Sequence, residues 1–184
     1  LSDTGVNLTG IRDAEGNQSA FAYDALGNLI SVKDPEGNTS RREYDGEGRK
    51  IRETDALGGC TSYVYDKGGN VRSITDPAGN TTAFTYDANG NVLRAEDPEG
   101  NLYAYTYDAL NRCVMETLPD GTRIRKAYDT DGNCILETDG EDNAYTYRYD
   151  PLGNLLEEKD PQGRTAAYTY DYRNNRLETR TDAL

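Results

Sequence analysis

The chain has 184 residues and a formal net charge of −13, from 20 Lys and Arg against 33 Asp and Glu. This acidic balance argues against nucleic acids and anionic membrane surfaces as partners, because both need a positively charged face. Leu, Ile, Val and Phe together supply 29 residues, a share typical of disordered chains, and His, the commonest general base, is missing from the sequence.

The first residues give no sign of a signal peptide, and Leu1 stands where an initiator Met would be. We therefore expect the chain to be a segment of a longer protein. No apolar stretch further along approaches the ~18 residues that cross a bilayer, so we expect no insertion into a membrane.

A strict internal repeat outweighs the composition. The pair Tyr-Asp occurs eight times at intervals of 21 residues. A Gly stands three residues after the Asp in six units, and Asn111 and Asn174 fill the two gaps, which indicates a left-handed backbone that Gly and Asn tolerate best. The motif, which we expect to be structural, comprises Tyr23, Asp24, Gly27, Tyr44, Asp45, Gly48, Tyr65, Asp66, Gly69, Tyr86, Asp87, Gly90, Tyr107, Asp108, Tyr128, Asp129, Gly132, Tyr149, Asp150, Gly153, Tyr170 and Asp171.

A second turn signal, Asp-Pro-x-Gly-Asn in its fullest form, alternates with the first. Its Gly recurs at the same step from Gly16 to Gly163, with Asp142 in the one gap. The runs between turns are short and rich in Tyr, Val, Ile and Thr, which favour strands. We predict an all-β fold in which tandem 21-residue β-hairpins form one continuous antiparallel sheet, curled or spiralling, with residues 1–184 as a single array of about eight and a half units.

The aromatic residues indicate which face of the sheet is covered. Counting each unit from its Tyr as position 0, Tyr or Phe recurs at position 19, and position 17 adds Tyr103, Ile124 and Tyr145. Because side chains alternate along a strand, these positions share one face, which we expect to be shielded from water with position 7 opposite position 19. To keep this face in every hairpin, we predict a three-residue loop at the Asp-Pro turn and a four-residue loop at the Tyr-Asp turn.

The tandem unit, Tyr-Asp-x-x-Gly-Asn followed by Asp-Pro-x-Gly-Asn, closely resembles the YD repeats of the Rhs family. Proteins with these repeats include Rhs toxins, teneurins and the shell-forming subunits of Tc toxins. The resemblance runs from about Asp3 to Arg180. It implies one β-strip that spirals into a hollow shell, often around a C-terminal toxin. No segment here resembles the closing core motif of that family, so encapsulation and self-cleavage are assigned to no residue.

Three groups of side chains have a possible chemical role, and we favour a structural one for each. Residues 129–133 lack the spaced ligands of a calcium loop, so we predict a turn there, with diffuse calcium binding along an Asp-lined edge as the alternative. Cys60, Cys113 and Cys134 fit no metal spacing, and in a meander a strand separates the last two, so we expect no disulfide. Neighbouring carboxylates such as Glu157 and Glu158 point to opposite faces and do not form a hydrolase pair.

We predict a structural protein, neither an enzyme nor dependent on a cofactor or metal. It would form part of a secreted or cell-surface wall that either encloses a toxin in the parent protein, as a shell, or builds a stalk or fibre. Its partners would be other repeats of the same chain, or further copies joined through open sheet edges. The alternative is a cell-surface adhesion module that binds carbohydrate through exposed Tyr side chains, favoured if the aromatic face is bare.

Overall fold

A computed structural model describes residues 7–182 of the chain. These residues form seventeen β-strands and no helix. None of them therefore offers a helix with the length and apolar character that crossing a membrane requires. The predicted all-β fold of tandem hairpins in an antiparallel sheet is confirmed.

Every strand after the first is five to seven residues long, as expected for short runs between turns. The strands are β1 (Gly10–Arg12), β2 (Gln18–Tyr23), β3 (Leu29–Lys33), β4 (Thr39–Tyr44), β5 (Lys50–Thr54), β6 (Cys60–Tyr65), β7 (Val71–Thr75), β8 (Thr81–Tyr86), β9 (Val92–Glu96), β10 (Leu102–Tyr107), β11 (Cys113–Thr117), β12 (Arg123–Tyr128), β13 (Cys134–Thr138), β14 (Ala144–Tyr149), β15 (Leu155–Lys159), β16 (Thr165–Asp171) and β17 (Arg176–Asp182).

The described residues divide into two compact units. One takes the residues up to Thr85 together with Glu96–Gly100, and the other takes Tyr86–Ala95 and the residues from Asn101 onward. In the first unit, each strand from β1 to β7 pairs antiparallel with the next, which ends the series at β8. In the second unit, β10 to β17 follow the same meander.

Both kinds of turn have the same three-residue loop. At the Tyr-Asp turn the N–H of Asp24 donates to the C=O of Asn28 at 3.0 Å, and at the Asp-Pro turn the N–H of Asp34 donates to the C=O of Asn38 at 3.0 Å. The predicted loop of the Asp-Pro turn is confirmed. The four-residue loop predicted for the Tyr-Asp turn is wrong.

A β-bulge supplies the extra residue that the longer loop was expected to provide. Tyr23 lies opposite Leu29 and Ala22 lies opposite Ser31, so Ile30 is an additional residue on β3 alone. The same register shift follows the Tyr-Asp turn in the hairpins β4–β5, β6–β7, β10–β11, β12–β13, β14–β15 and β16–β17. Because a bulge lengthens one strand by one residue, it keeps side chains on the same face from hairpin to hairpin.

The bulge changes which residues oppose the aromatic rings. Position 9 lies opposite position 19 of the preceding strand, as Val32 does to Phe21 and Ile74 does to Tyr63. The predicted partner, position 7, is the bulge residue instead. Position 9 also lies opposite position 17 of the following strand, as Val32 does to Ser40. We call positions 0, 6, 9, 17 and 19 the tyrosine face.

The tyrosine face is only partly covered by the chain itself. Ala166, at 8% exposure, is the single buried residue among residues 7–182. The rings at positions 0 and 19 are half-buried, and Tyr145 at position 17 is exposed. Stability therefore comes from hydrogen-bonded strands and turns and from half-buried rings, in place of a closed apolar core.

The last turn carries one residue more than the others. Asp171 lies opposite Arg176, which leaves a four-residue loop, and the N–H of Asn175 donates to the C=O of Asp171 at 2.8 Å. The left-handed residue is Asn175, at a φ of 57°, and the prediction of Asn174 for this role is wrong. The bulge follows as in the other hairpins, so the turn absorbs the insertion and β17 keeps its faces.

Candidate functional site: the turns and the tyrosine face

Where a turn opens with Asp, as all but the turn at Leu118 do among residues 7–182, the Asp side chain accepts hydrogen bonds from within the turn. In the turn of Asp66, Oδ1 accepts the backbone N–H groups of Gly68 and Asn70 at 2.8 and 2.9 Å, and Oδ2 accepts Nδ2 of Asn70 at 3.2 Å. At the Asp-Pro turns, Asp76 makes the equivalent bonds to Ala78 and Asn80. The two turn signals of the sequence therefore encode one geometry.

The fourth residue of the turns has the left-handed backbone predicted from the Gly pattern. Thirteen glycines have a φ between 78° and 95°. Asn111, at a φ of 62°, takes the same conformation, as predicted, and Asp142, at 60°, also takes it in the gap of the second series. Only Gly adopts this conformation without steric strain, which explains why Gly fills most of these positions.

The hydrogen bonds within the turns hold the carboxylates in their charged form. The side-chain amide of Asn70, followed by backbone N–H groups, lowers the pKa of Asp66 from its ordinary value. Asp24, Asp34, Asp87 and Asp129 have a lowered pKa for the same first cause, the amide of the turn Asn.

At least four of the eight motif tyrosines connect their unit to the preceding one through the same bond. The Tyr hydroxyl donates to the backbone C=O at position 6 of the preceding unit. The pairs are Tyr44 with Leu29 at 3.1 Å, Tyr65 with Lys50 at 2.7 Å, Tyr107 with Val92 at 2.9 Å, and Tyr128 with Cys113 at 2.9 Å. These bonds join residues fifteen apart in sequence and span from one hairpin to the next.

Arg49 and Arg112 in the turns strengthen the same connection, since each lies over the motif Tyr ring of the next unit, and both were missed by the sequence analysis. Arg112 contacts Oδ2 of Asp108 at 2.7 Å through Nε and Nη2, and its Nη1 donates to the C=O of Asp129 in the next turn at 2.8 Å. Its guanidinium carbon lies 4.9 Å from the centre of the Tyr128 ring. Such stacking of a cation on an aromatic ring is stabilising. The available signal was an Arg at position 5, where most units have Asn.

The tyrosine face also carries carboxylates at position 9. Glu53 accepts Nε of Arg42 at 3.0 Å and Nζ of Lys50 at 2.5 Å. Tyr168 donates its hydroxyl proton to Oε1 of Glu158 at 2.6 Å. The face therefore combines aromatic rings with paired charges, and is more polar than the aromatic pattern alone indicates.

The other residues singled out in the sequence occupy ordinary positions. Residues 129–133 form a turn like the rest, as predicted. Among residues 7–182 no group of three or more His, Cys, Asp or Glu side chains could hold a metal ion. Cys60, Cys113 and Cys134 are free thiols. Glu157 and Glu158 lie on opposite faces of the sheet, as predicted. Glu157 lies opposite Arg148 on β14, and Glu158 lies opposite Tyr147, which is on the tyrosine face.

Several solved structures have the same fold. The crystal structure of TcdB2-TccC3 without its hypervariable C-terminal region is 21% identical, with a TM-score of 0.80 over 99% of this chain and 11% of that chain. TcdB2-TccC3-TEV is 20% identical, with a TM-score of 0.79 over 99% of this chain and 11% of that chain. The Tc holotoxin pore of Photorhabdus luminescens is 19% identical, with a TM-score of 0.73 over 90% of this chain and 11% of that chain.

This chain thus spans about a ninth of the length of the structures it matches. A comparison with curated proteins gave no significant match. The family model of the teneurin YD-shell matches residues 6–183, which is nearly the whole sequence. The predicted resemblance to YD repeats is confirmed, and the fold is that of a structural shell scaffold. The chain belongs to the teneurin YD-shell family.

Proposed function

We propose that the chain is a single repeat array within the wall of a larger, secreted or cell-surface shell, and that this shell encloses a toxin or other cargo. The family match over residues 6–183 carries the proposal. The matched chains are about nine times longer, which supports a wall built from many such arrays. The proposed role is mechanical, not catalytic.

The repeated contacts suit a wall that is extended one hairpin at a time. The motif Tyr is bonded to the backbone of the preceding unit at Tyr44, Tyr65, Tyr107 and Tyr128, so the same contact recurs where one hairpin follows another. All seven residues of β17 are exposed. We propose that further repeats of the parent chain, or a second copy, continue the sheet along this strand.

Limited proteolysis of the full-length protein that carries this chain tests the enclosure of cargo. With the wall folded, we expect the cargo segment to resist protease, and to be cleaved once acid or urea unfolds the wall. The same segment expressed without the wall serves as the control and should be cleaved at once. Equal cleavage of the segment with and without a folded wall would contradict the proposal.

The location is tested separately on intact cells of the source organism. Protease added outside the cells should degrade the wall, or the wall should be recovered from the medium. A cytoplasmic marker protein should survive the same treatment. Recovery of the wall only after cell lysis would contradict a secreted or surface location while leaving the enclosure of cargo intact.

A further inference from the structure

An open pocket of about 390 Å³ lies on the tyrosine face in the second unit. Its lining includes Tyr145 and Tyr147 of β14, Glu158 of β15, Arg164 of the Asp-Pro turn and Ala166 of β16. The volume is near the lower end of the ~300–1,000 Å³ found for small-molecule sites. The pocket is therefore large enough for one or two sugar-sized rings.

The pocket exists because a small residue interrupts a row of large ones. Position 17 is Tyr103, Ile124 and Tyr145 in three consecutive units and Ala166 in the next. Ala166 lies opposite Glu158, which in turn lies opposite Tyr147. A side chain that ends at Cβ leaves open the space that a ring would fill at this point. Ala166 lines the pocket and is 8% exposed.

The walls of the pocket combine aromatic rings with polar groups that retain bonding capacity. The ring of Tyr145 is 37% exposed. Glu158 accepts a hydrogen bond from the hydroxyl of Tyr168 and lies 4.0 Å from Nη2 of Arg180, yet its side chain is 39% exposed. Arg164 is paired with Asp160, but its side chain is 67% exposed and a guanidinium has five N–H donors. Donors and acceptors are thus both available to a ligand.

We propose that this pocket binds a neutral pyranose. The C–H groups on one face of a pyranose carry partial positive charge and suit the negative face of a phenol ring. Its hydroxyls both donate and accept, which matches a carboxylate beside a guanidinium. Around the pocket, the three carboxylates of Glu158, Asp160 and Asp182 outnumber the two cations, Lys159 and Arg164, and this balance disfavours an anionic sugar. The proposal does not depend on the enclosure of cargo.

Saturation-transfer NMR on the 184-residue chain with methyl β-D-galactopyranoside and methyl β-D-glucopyranoside tests this site. We expect transfer to the C–H protons of at least one of them, with a dissociation constant on the order of 1 mM. Ala166→Tyr places in the pocket the residue that Tyr145 and Tyr103 already show to be compatible with position 17. It should weaken binding at least about tenfold, as should Tyr145→Ala.

Equivalent substitutions elsewhere on the tyrosine face are the matched controls. Ser40→Tyr and Tyr103→Ala alter the same position 17 in other units and should leave binding within about twofold of the unmodified chain. Circular dichroism checks that each variant is folded. Should Ala166→Tyr fail to fold, Glu158→Gln provides a second test, since it removes the carboxylate charge at nearly constant size.

Three results would overturn the proposal. The first is an absence of transfer to both sugars well above 1 mM. The second is unchanged binding in folded Ala166→Tyr or Tyr145→Ala. The third is stronger binding of lysine amide, glucuronate or p-cresol than of either pyranoside, which would assign the pocket to a basic peptide, an anionic sugar or a nonspecific aromatic ligand.

Discussion

The Asp that opens each turn explains how so acidic a chain folds. Its carboxylate accepts two backbone N–H groups and one side-chain amide, as in the turn of Asp66. Hydrogen bonds to a charged acceptor are stronger than those between neutral groups. The Asp carboxylates of the repeat therefore lie at the tight turns, where backbone N–H groups need an acceptor. There they stabilise the fold even though the chain has a net charge of −13.

Acid should unfold the chain through these turns. Because the turn Asn lowers the pKa of residues such as Asp24 and Asp66 on folding, their stabilisation is fully present above the ordinary value of 3.8 and is lost as the pH falls through the lowered value. We expect the midpoint of urea unfolding, followed by circular dichroism, to fall steadily as the pH drops below about 4.

A turn variant separates this effect from the overall charge. Asp66→Asn removes the charged acceptor and should lower the urea midpoint at pH 7. At lower pH the midpoints of the variant and the unmodified chain should approach each other, because Asp66 of the unmodified chain becomes protonated. Neutralising carboxylates also relieves the repulsion of the net charge, which acts in the opposite direction. A midpoint that rises continuously below pH 4 would show that repulsion dominates and would contradict the prediction.

The motif Tyr contributes through its hydroxyl as well as its ring. Tyr65→Phe removes the bond to the C=O of Lys50 but keeps the half-buried ring, and should cost about 0.5–1.5 kcal/mol in the free energy of unfolding. Tyr172→Phe is the matched control, since Tyr172 is 88% exposed, and should change this free energy by less than about 0.5 kcal/mol. An equal effect of the two variants in urea titrations would refute a role for the hydroxyl.

At the scale of the element, the hairpin shows what the sequence could and could not predict. The Gly and Asn pattern predicted the left-handed residues except in the last turn, where Asn175 takes the place of Asn174, and the aromatic pattern predicted that hairpins keep one face. The aromatic pattern could not decide how the chain keeps this face, because a four-residue loop and a three-residue loop followed by a bulge both add one residue. The bulge at Ile30 follows from backbone pairing and leaves no composition signal of its own.

Deleting single residues should distinguish the bulge from the turn. Removing Ile51, the bulge residue of β5, moves every later side chain of that strand to the opposite face and should abolish cooperative unfolding. Removing Asn174 shortens the last turn to the length of the others and should change the free energy of unfolding by less than about 0.5 kcal/mol. Thermal unfolding by circular dichroism compares the two, and equal tolerance of both deletions would contradict the role of the bulge.

Contact between neighbouring turns is tested at Gly140. A Cβ on this residue would collide with Cγ2 of Thr122, which closes the turn that opens at Leu118. Gly140→Ala should therefore cost about 1–3 kcal/mol in the free energy of unfolding. Thr122→Ser removes the obstructing methyl group and should restore part of the loss in the double variant, which urea titration of all four chains would measure.

Gly46 offers a matched control for the substitution of Gly140. A Cβ there meets nothing within 4 Å. Gly46→Ala should be neutral or stabilise the chain by about 0.4–1 kcal/mol, because it restricts the unfolded state. Destabilisation of similar size at both positions would show that loss of Gly flexibility, and not the contact with Thr122, is the cause.

At the scale of the whole molecule, the period of the sequence predicts the fold better than its composition does. The apolar content is typical of disorder, yet fifteen Tyr side chains supply ring area and hydrogen bonds together. The details that distinguish one unit from another were beyond sequence reasoning, because they depend on neighbours. Arg112 stacks on a ring in the next unit, and the pocket at Ala166 arises from the size of residues on adjacent strands.

The regular spacing predicts that the array can lose a whole unit and still fold. Excising residues 52–72 joins Ile51 to Ser73, which keeps every position of the repeat in phase. Nearest-neighbour contacts should then re-form, and the calorimetric enthalpy of unfolding should fall by about 15 kcal/mol near 60 °C, the contribution of ~21 residues. Excising residues 52–71 removes one residue fewer within the strand, and it should prevent a cooperative transition because all later side chains change face. If both shortened chains unfold alike, the phase of the 21-residue repeat does not govern this fold.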